Sequence, residues 1–255
     1  MIAKKKEEID ALREGCRRTA RHLRILLEMV RPGATARELE MKARELVAKD
    51  GDTLAFLGYE SGSEPPYQSG LCCSVNDAVV HSPAGQNGEE FAEGDVVTLD
   101  FGIVHKGFYS DMARTVIAGT AISEDDERLV RGTNEAFDAG FAAAKIGNTL
   151  GDVGYAVQQV AEKYHFGYPA TLCGHGVGRS LHEDPRVPNF GKPGKGEKIV
   201  EGLVIAIEPM MTLSRGELYV EEDGHTFRTK DGSRSAHVEN TIIVTKNGPE
   251  ILTKE

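Results

Sequence analysis

Apolar residues spaced three and four positions apart predict two helices near the start of the chain. In the first helix these positions are Ile9, Leu12, Cys16, Leu23, Leu27 and Val30. Arg31-Pro32-Gly33 is expected to end this helix. Thr35 and Glu38 have the spacing of a capping box, so we expect a second helix from this point to Gly51.

Runs rich in apolar and β-branched residues predict strands in the part of the chain that follows. Short runs lie at residues 54–59 and 71–75, and longer runs lie at residues 96–104 and 108–117. Lys106-Gly107, between the two longer runs, is a plausible hairpin turn. We therefore expect two short strands followed by a β-hairpin.

Two strand-like segments end in a carboxylate where an apolar residue is expected. Residues 93–100 and 201–208 have nearly the same sequence and end in Asp100 and Glu208. A buried carboxylate without a partner is strongly disfavoured. The repetition therefore indicates that both groups face a shared compensating charge.

Each of these segments has a later companion strand with a second carboxylate, Asp111 in the first case and Glu239 in the second. If Lys106-Gly107 is the hairpin turn, Asp100 lies opposite Ala113. Asp111 is two residues from Ala113, so it projects from the same face, within reach of ions shared with Asp100. An acidic residue near a strand end is usually solvated, but the duplicated placement favours one shared site.

The order helix, helix, strand, strand occurs twice. Ser123 with Asp126 and Thr149 with Asp152 predict the starts of a third and a fourth helix. The third helix is expected to run to about Ile146. The second pair of helices then leads into the second pair of carboxylate strands, which suggests a duplication within one folded unit.

Length and composition are consistent with one large domain. The chain has 255 residues with 40% apolar content, enough for a substantial core. We expect a single α+β catalytic domain over residues 1–255, with pseudo-repeat halves at about 1–120 and 121–255. The net charge of −10 argues against a protein that coats nucleic acid.

Cysteine usage and hydropathy indicate a cytoplasmic protein. The chain has no C-x-x-C pair, so no structural zinc site is expected, and the adjacent Cys72 and Cys73 in a chain of this length do not indicate a disulfide framework. The cysteines are Cys16, Cys72, Cys73 and Cys173. The first residues lack the apolar stretch of a signal peptide, and no apolar run reaches the roughly 20 residues that span a bilayer.

A glycine-rich segment supplies the candidate imidazoles. Gly174-His175-Gly176 places glycines on both sides of a histidine, which permits close backbone approach, and His182 follows in the same segment. Taken alone, these histidines would suit a flexible surface loop. Their combination with four carboxylates favours a site. For His81, position alone leaves structural and functional roles equally open.

This ligand set suits hard or borderline divalent cations, and manganese, ferrous iron and cobalt fit it best. Four carboxylates around one divalent ion would overneutralise it, so two ions are expected. A paired centre activates water for hydrolysis. The chain lacks a His-Glu-x-x-His motif, so it is not that kind of single-zinc peptidase.

The motifs together resemble the bacterial type I methionine aminopeptidases over almost the whole chain. They are Leu99-Asp100-Phe101-Gly102, Ser110-Asp111, Gly174-His175-Gly176-Val177-Gly178, His182-Glu183-x-Pro185, Ile207-Glu208-Pro209-Met210 and Glu239-Asn240-Thr241. The resemblance implies a pita-bread fold, with a curved antiparallel sheet flanked by helices and an internal pseudo-two-fold. It also implies removal of the initiator methionine before a small second residue, by water or hydroxide activated between two metal ions.

The resemblance assigns a metal role to five residues. Asp100 would chelate one metal, Asp111 and Glu239 would bridge both, and His175 and Glu208 would complete the other. Manganese, ferrous iron or cobalt are the expected ions, with zinc and nickel as further candidates.

Catalytic and substrate-binding roles follow in the same way. Glu208 would shuttle a proton, His182 would hydrogen-bond the scissile carbonyl or oxyanion, and His81 would line the site. The methionine pocket would contain Tyr59, Tyr67 and Cys72.

A weaker implication is one sodium or potassium ion held by the backbone carbonyls of Asn76, Ala78 and Ser235. The implied partners are N-terminal methionine peptides and nascent chains, with transient ribosome association. No nucleic-acid specificity and no membrane partner are expected, and the protein is expected to be a monomer.

The chain departs from the family pattern around the substrate pocket. Leu181 stands where Phe is frequent, Phe56 where Cys is common and His225 where Trp is common. The loop between Tyr59 and Tyr67 is longer by three residues. These differences concern pocket shape. Two other functions stay open: an Xaa-Pro peptidase of the same fold, and a non-catalytic peptide-binding member of the fold.

Overall fold

Thr35 and Glu38 start the second helix by a reciprocal cap. Thr35 Oγ1 accepts a hydrogen bond from Glu38 N at 3.2 Å, and Glu38 Oε2 accepts one from Thr35 N at 2.9 Å. Gly51 closes the helix with φ of 71°, a conformation that glycine adopts without steric cost. These boundaries confirm the prediction.

The computed structural model describes residues 1–60, 65–85 and 88–254. The longer loop between Tyr59 and Tyr67 lies partly outside these residues. The helices are α1 (Lys6–Leu27), α2 (Ala36–Asp50), α3 (Glu124–Ala143) and α4 (Leu150–Tyr164). All four correspond to predicted helices. Within the described residues, none of these helices is both long enough and apolar enough to span a membrane.

Fourteen strands are present among the described residues. They are β1 (Thr53–Leu54), β2 (Leu71–Val75), β3 (Ala78–Val80), β4 (Val96–His105), β5 (Phe108–Ile117), β6 (Cys173–Gly176), β7 (Glu183–Pro188), β8 (Val204–Ile207), β9 (Met210–Thr212), β10 (Leu218–Val220), β11 (Phe227–Thr229), β12 (Ser235–His237), β13 (Glu239–Thr245) and β14 (Gly248–Ile251).

Nine of these strands form one antiparallel sheet in the order β1-β4-β5-β13-β8-β6-β7, with β2 on β4 and β14 on β13. The two segments that resemble each other lie in β4 and β8, and their companion strands β5 and β13 pair between them. The α+β class is confirmed.

The predicted hairpin forms with the predicted register. Asp100 pairs with Ala113, and Asp111 pairs with Gly102. On the other side of β5, Ala113 also pairs with Glu239. Ala113 on β5 thus lies between two carboxylates from the strands on either side of β5, Asp100 on β4 and Glu239 on β13.

The prediction of a strand over residues 54–59 was wrong beyond Leu54. The chain turns there, because Tyr59 N donates a hydrogen bond to Phe56 O at 2.9 Å. The side chains of Phe56 and Tyr59 instead pack with Tyr67 and Leu181 in one apolar cluster. The run is apolar because it forms the wall of a pocket, not because it alternates across a sheet.

Two main apolar clusters lie between the helices and the large sheet. One joins α1 and α2 to β2 and β4 through residues such as Leu23, Leu39 and Leu99. The other joins α3 and α4 to β8 and β13 through Phe137, Val153 and other residues. The helices thereby support the central strands that carry the acidic side chains.

Candidate active site

Four buried carboxylates meet at the centre of the large sheet. Asp100 comes from β4, Asp111 from β5 and Glu239 from β13, and Glu208 directly follows β8. Each is at most 9% exposed. The sheet register thus collects acidic side chains that are widely separated in sequence.

His175, on β6, faces this cluster. Its Nε2 lies 3.3 Å from Glu208 Oε1, 3.8 Å from Glu239 Oε1 and 4.0 Å from Asp111 Oδ2. Glycine is required on both sides, since a Cβ at Gly174 would collide with the Ala206 carbonyl and one at Gly176 with the Asp184 carbonyl. The flanking glycines therefore let β6 approach its neighbours closely enough to present the imidazole.

The cluster carries negative charge that the protein leaves uncompensated. Burial raises the pKa of Asp100 to about 7. Burial and the charges of neighbouring carboxylates raise the pKa values of Asp111, Glu208 and Glu239 well above their ordinary range. Arg114 lies nearby, but its guanidinium donates to the backbone carbonyls of Ala113 and Glu239 and to the side chain of Asn240.

Buried oxygens without hydrogen bonds show what the cluster can hold. Asp100 Oδ1, Glu208 Oε1 and Glu239 Oε1 are buried and have no hydrogen-bond partner among the described residues. Buried charges of this kind are paired or bind metal ions. Carboxylate oxygens with imidazole nitrogen suit divalent cations such as manganese, iron or cobalt. The residues present therefore fit a divalent metal centre.

We expect the metal-free protein to lose stability as the pH rises above about 6.5. A carboxyl group whose pKa is raised by folding binds its proton more readily in the folded state. Its contribution to the free energy of unfolding therefore falls as pH rises from the unfolded value, about 4, through the folded value. Burial lowers the pKa of His175 and His237 to about 3, and histidines shifted in this direction contribute the opposite slope below about pH 6.5. Above that pH the histidines no longer oppose the carboxylates. The Met1 amino group, whose pKa burial lowers, still opposes them up to about pH 8, and the buried thiols, whose pKa values burial raises, add to the fall near pH 8.5.

Urea unfolding of chelator-treated protein at about pH 6.5, 7.5 and 8.5 measures this slope. Saturating Mn²⁺ should flatten it, because bound cations keep the carboxylates ionised. A free energy of unfolding that rises across this range without metal would contradict the arrangement.

A cavity of about 210 Å³ adjoins the acidic cluster, and all ten residues predicted from the sequence line it. They are Tyr59, Tyr67, Cys72, His81, Asp100, Asp111, His175, His182, Glu208 and Glu239. The structure therefore brings these ten residues together at one cavity, while their roles remain predictions. The three positions that depart from the family pattern, Phe56, Leu181 and His225, line the same cavity.

The part of the cavity wall that the carboxylates do not form is largely aromatic and apolar. Tyr67 donates a hydrogen bond to Cys72 Sγ at 2.9 Å, and its ring meets His225 edge-on with centroids 5.3 Å apart. Tyr59 contacts His182 through a 2.6 Å hydrogen bond between its hydroxyl and Nδ1. This wall can receive an apolar side chain, while His182 stays close to His175, with ring centroids 4.4 Å apart.

The residues predicted to hold a monovalent cation also lie together. Ser235 Oγ donates hydrogen bonds to the carbonyl oxygens of Asn76 at 3.0 Å and Ala78 at 2.9 Å. Asn76 adopts a positive φ of 57°, and His81 adopts one of 61°. The segment that carries Asn76 and Ala78 therefore adjoins the cavity through His81.

The sequence interpretation missed His237. It is 1% exposed, and its Nε2 lies 3.7 Å from both Glu208 Oε2 and Glu239 Oε2. A signal was available, because His237 lies two residues before Glu239 and strand alternation puts such residues on one face.

Residues 10–246 match the sequence model of metallopeptidase family M24. The methionine aminopeptidase of Clostridium perfringens is 42% identical over 99% of this chain and 98% of its own length. The crystal structure of methionine aminopeptidase from Thermotoga maritima superposes with a TM-score of 0.94 at 41% identity, covering 100% of both chains. The prolidase of Pyrococcus furiosus superposes with a TM-score of 0.78 at 25% identity, and the match covers 66% of that longer chain.

Proposed function

This chain belongs to metallopeptidase family M24, among its methionine aminopeptidases, and from this premise we propose how its site works. The protein is a metal-dependent aminopeptidase that hydrolyses the N-terminal methionine from peptides and proteins. We propose that the enzyme prefers substrates with a small second residue. The main support for this proposal is that one cavity joins the buried acidic cluster to an aromatic and apolar wall.

The acidic residues and His175 would hold two divalent ions, with Asp111 and Glu239 shared between them. Such ions lower the pKa of bound water and polarise a carbonyl oxygen. Manganese, ferrous iron and cobalt are the proposed ions, and zinc or nickel would also suit the donors. The proposed sodium or potassium site at Asn76, Ala78 and Ser235 would fix the turn that leads to His81.

The protein's own groups perform three tasks. The pocket of Tyr59, Tyr67 and Cys72 receives the methionine side chain, which places the scissile amide beside the carboxylates. Glu208 is the proposed proton shuttle, because its carboxylate lines the cavity beside the acidic cluster, where it can accept a proton from water and return it to the leaving amine. His182, oriented by the Tyr59 hydroxyl, donates from Nε2 to the carbonyl oxygen as negative charge develops there.

We place this activity in the cytoplasm, on nascent chains, in a monomer that associates transiently with ribosomes. Four free cysteines, three of them buried, are consistent with a reducing compartment. We further propose that residues 1–255 form one catalytic domain with two pseudo-repeat halves. The contact between β5 and β13 at the middle of the large sheet supports this division.

A peptide panel tests the function against its two alternatives. Chelator-treated protein, reloaded separately with Mn²⁺, Fe²⁺ or Co²⁺, is assayed on Met-Ala-Ser, Met-Pro and Ala-Pro-Phe peptides. We expect release of methionine from Met-Ala-Ser and none from the chelated protein. Selective cleavage of Ala-Pro-Phe would instead indicate an Xaa-Pro peptidase. Binding of peptides without cleavage under any metal would indicate a peptide-binding protein.

A further inference from the structure

His237 has a fixed backbone and an unpartnered side chain. Its N–H donates to Thr115 Oγ1 at 2.9 Å, and its carbonyl accepts from the same hydroxyl at 2.8 Å. It also pairs with Met210 across β12 and β9. Neither Nδ1 nor Nε2 has a hydrogen-bond partner among the described residues. The sheet therefore fixes the backbone of a buried histidine, while both nitrogens of its imidazole have no hydrogen-bond partner among the described residues.

The imidazole of His237 points its Nε2 at the acidic cluster. Nε2 lies 3.7 Å from Glu208 Oε2 and 3.7 Å from Glu239 Oε2. Donor atoms of Asp100, His237 and Glu239 all lie within 4.8 Å of one another. Two donors bound to one ion at about 2.1 Å each can be no more than about 4.2 Å apart, so the 3.7 Å separation of Nε2 from Glu239 Oε2 is compatible with a common ion.

The strand register gives His237 the same place in the second half that Asp111 has in the first. Asp100 pairs with Ala113, and Asp111 lies two residues before Ala113. In the second half, the pairs His237 with Met210 and Asn240 with Ile207 keep one register. Glu239 lies between these two pairs and therefore falls opposite Glu208, and His237 lies two residues before Glu239. A ligand-bearing position of the first half thus recurs in the second as a histidine.

A neutral imidazole beside ionised carboxylates presents a set of lone pairs that suits a cation. A neutral ring has one nitrogen with a lone pair, and ionised carboxylates are acceptors only. A ring that donates to no group and accepts from none leaves its polar atoms buried at a cost. A divalent ion between Nε2 and the carboxylate oxygens gives a partner to Nε2 and to these oxygens.

We propose that His237 Nε2 is a ligand of the divalent ion that Asp100 and Glu239 hold. This inference rests on the proposed function and adds a sixth protein ligand to its two-ion centre. Each ion then has one imidazole, His175 for one and His237 for the other. Imidazole strengthens binding of borderline ions such as iron and cobalt relative to a site of carboxylates alone. The ion at Asp100 should therefore be retained at a lower free concentration of Co²⁺ than carboxylates alone allow.

The test is His237→Gln, which keeps a polar side chain of similar size but removes the imidazole. The matched control is His225→Gln, because His225 lines the same cavity but lies outside the donor groups with metal-binding spacing. With two Co²⁺ ions bound, X-ray absorption at the cobalt edge should show half as many imidazoles per ion in His237→Gln as in the wild type. Calorimetric titration should show at least about 10-fold weaker binding of one Co²⁺ ion, since even removal of a supporting residue costs that much. His225→Gln should change neither value.

If His237→Gln with two Co²⁺ ions bound has as many imidazole ligands per cobalt ion as the wild type, the proposal is overturned and the proposed function stays intact. A loaded wild type that binds both ions through His175 and His237 but fails to cleave Met-Ala-Ser would overturn the function and support the ligand assignment. If His237→Gln does not fold, the wild type decides the question with ¹⁵N-labelled histidine and Zn²⁺. Coordination must shift the Nε2 resonance of His237, and an unshifted resonance would overturn the proposal.

Discussion

Asp111→Asn is expected to abolish aminopeptidase activity and, in the metal-free protein, to raise stability. Asp111 is the proposed bridge between the two ions, and an amide cannot replace a bridging carboxylate. Loss of the metal centre removes several kcal/mol of transition-state stabilisation, which corresponds to at least about a 10³-fold loss of kcat. Bound metal, measured by elemental analysis, and peptide cleavage should therefore be lost together.

The stability change has the opposite sign, because Asp111 is buried and adjoins Asp100 and Glu239. Burial and these two charges raise its pKa well above the ordinary value, so its ionised form is costly in the metal-free fold. A neutral amide of the same shape removes this cost. Urea unfolding of chelator-treated protein at about pH 8 should show a higher free energy of unfolding for Asp111→Asn than for the wild type.

The control is Asp10→Asn, because Asp10 is exposed on α1. That variant should keep both ions, full activity and the wild-type free energy of unfolding. Two tightly held ions in Asp111→Asn would remove Asp111 from the centre. Reduced stability of metal-free Asp111→Asn would show that the protein itself compensates the charge of the wild-type Asp111 carboxylate.

Local chemistry made much of the fold predictable. The caps at Thr35 and Thr149 fix helix starts through residues three positions apart, and the turn at Lys106-Gly107 fixes the register of Asp100 against Ala113. The pita-bread fold expected from the resemblance is confirmed by the solved relatives that superpose on the whole chain. The site was predictable because strand alternation and a repeated segment point to the same carboxylates.

Features set by long-range packing could not be predicted in this way. Nothing near Ala113 indicates that it pairs with Glu239, since that contact depends on the meeting of β5 and β13. The sequence match aligned Asp111 with Glu239, whereas the strand register gives Asp111 the same place as His237. The second carboxylate of each half, Asp111 or Glu239, therefore occupies a different register position in the two halves. This is why His237 was overlooked.

His182→Ala is expected to separate catalysis from metal binding. His182 lies beside His175, but neither group of donor atoms with metal-binding spacing includes it. The 2.6 Å contact with the Tyr59 hydroxyl engages Nδ1 and leaves Nε2 free to donate to a substrate oxygen. We expect the variant to keep both ions and to lose about 10²–10⁴ in kcat, the range for a positioned proton donor.

The partner variant Tyr59→Phe sharpens this expectation, because it keeps the imidazole and removes only the group that orients it. Its loss of kcat should be smaller than that of His182→Ala. His165→Ala, at the exposed end of α4, serves as the control and should keep wild-type kinetics. Metal content by elemental analysis and steady-state cleavage of Met-Ala-Ser provide both readouts. Unchanged kcat in His182→Ala would exclude the side chain from catalysis. Loss of an ion would instead make His182 a ligand, and the Tyr59 hydroxyl would then orient a metal-binding ring.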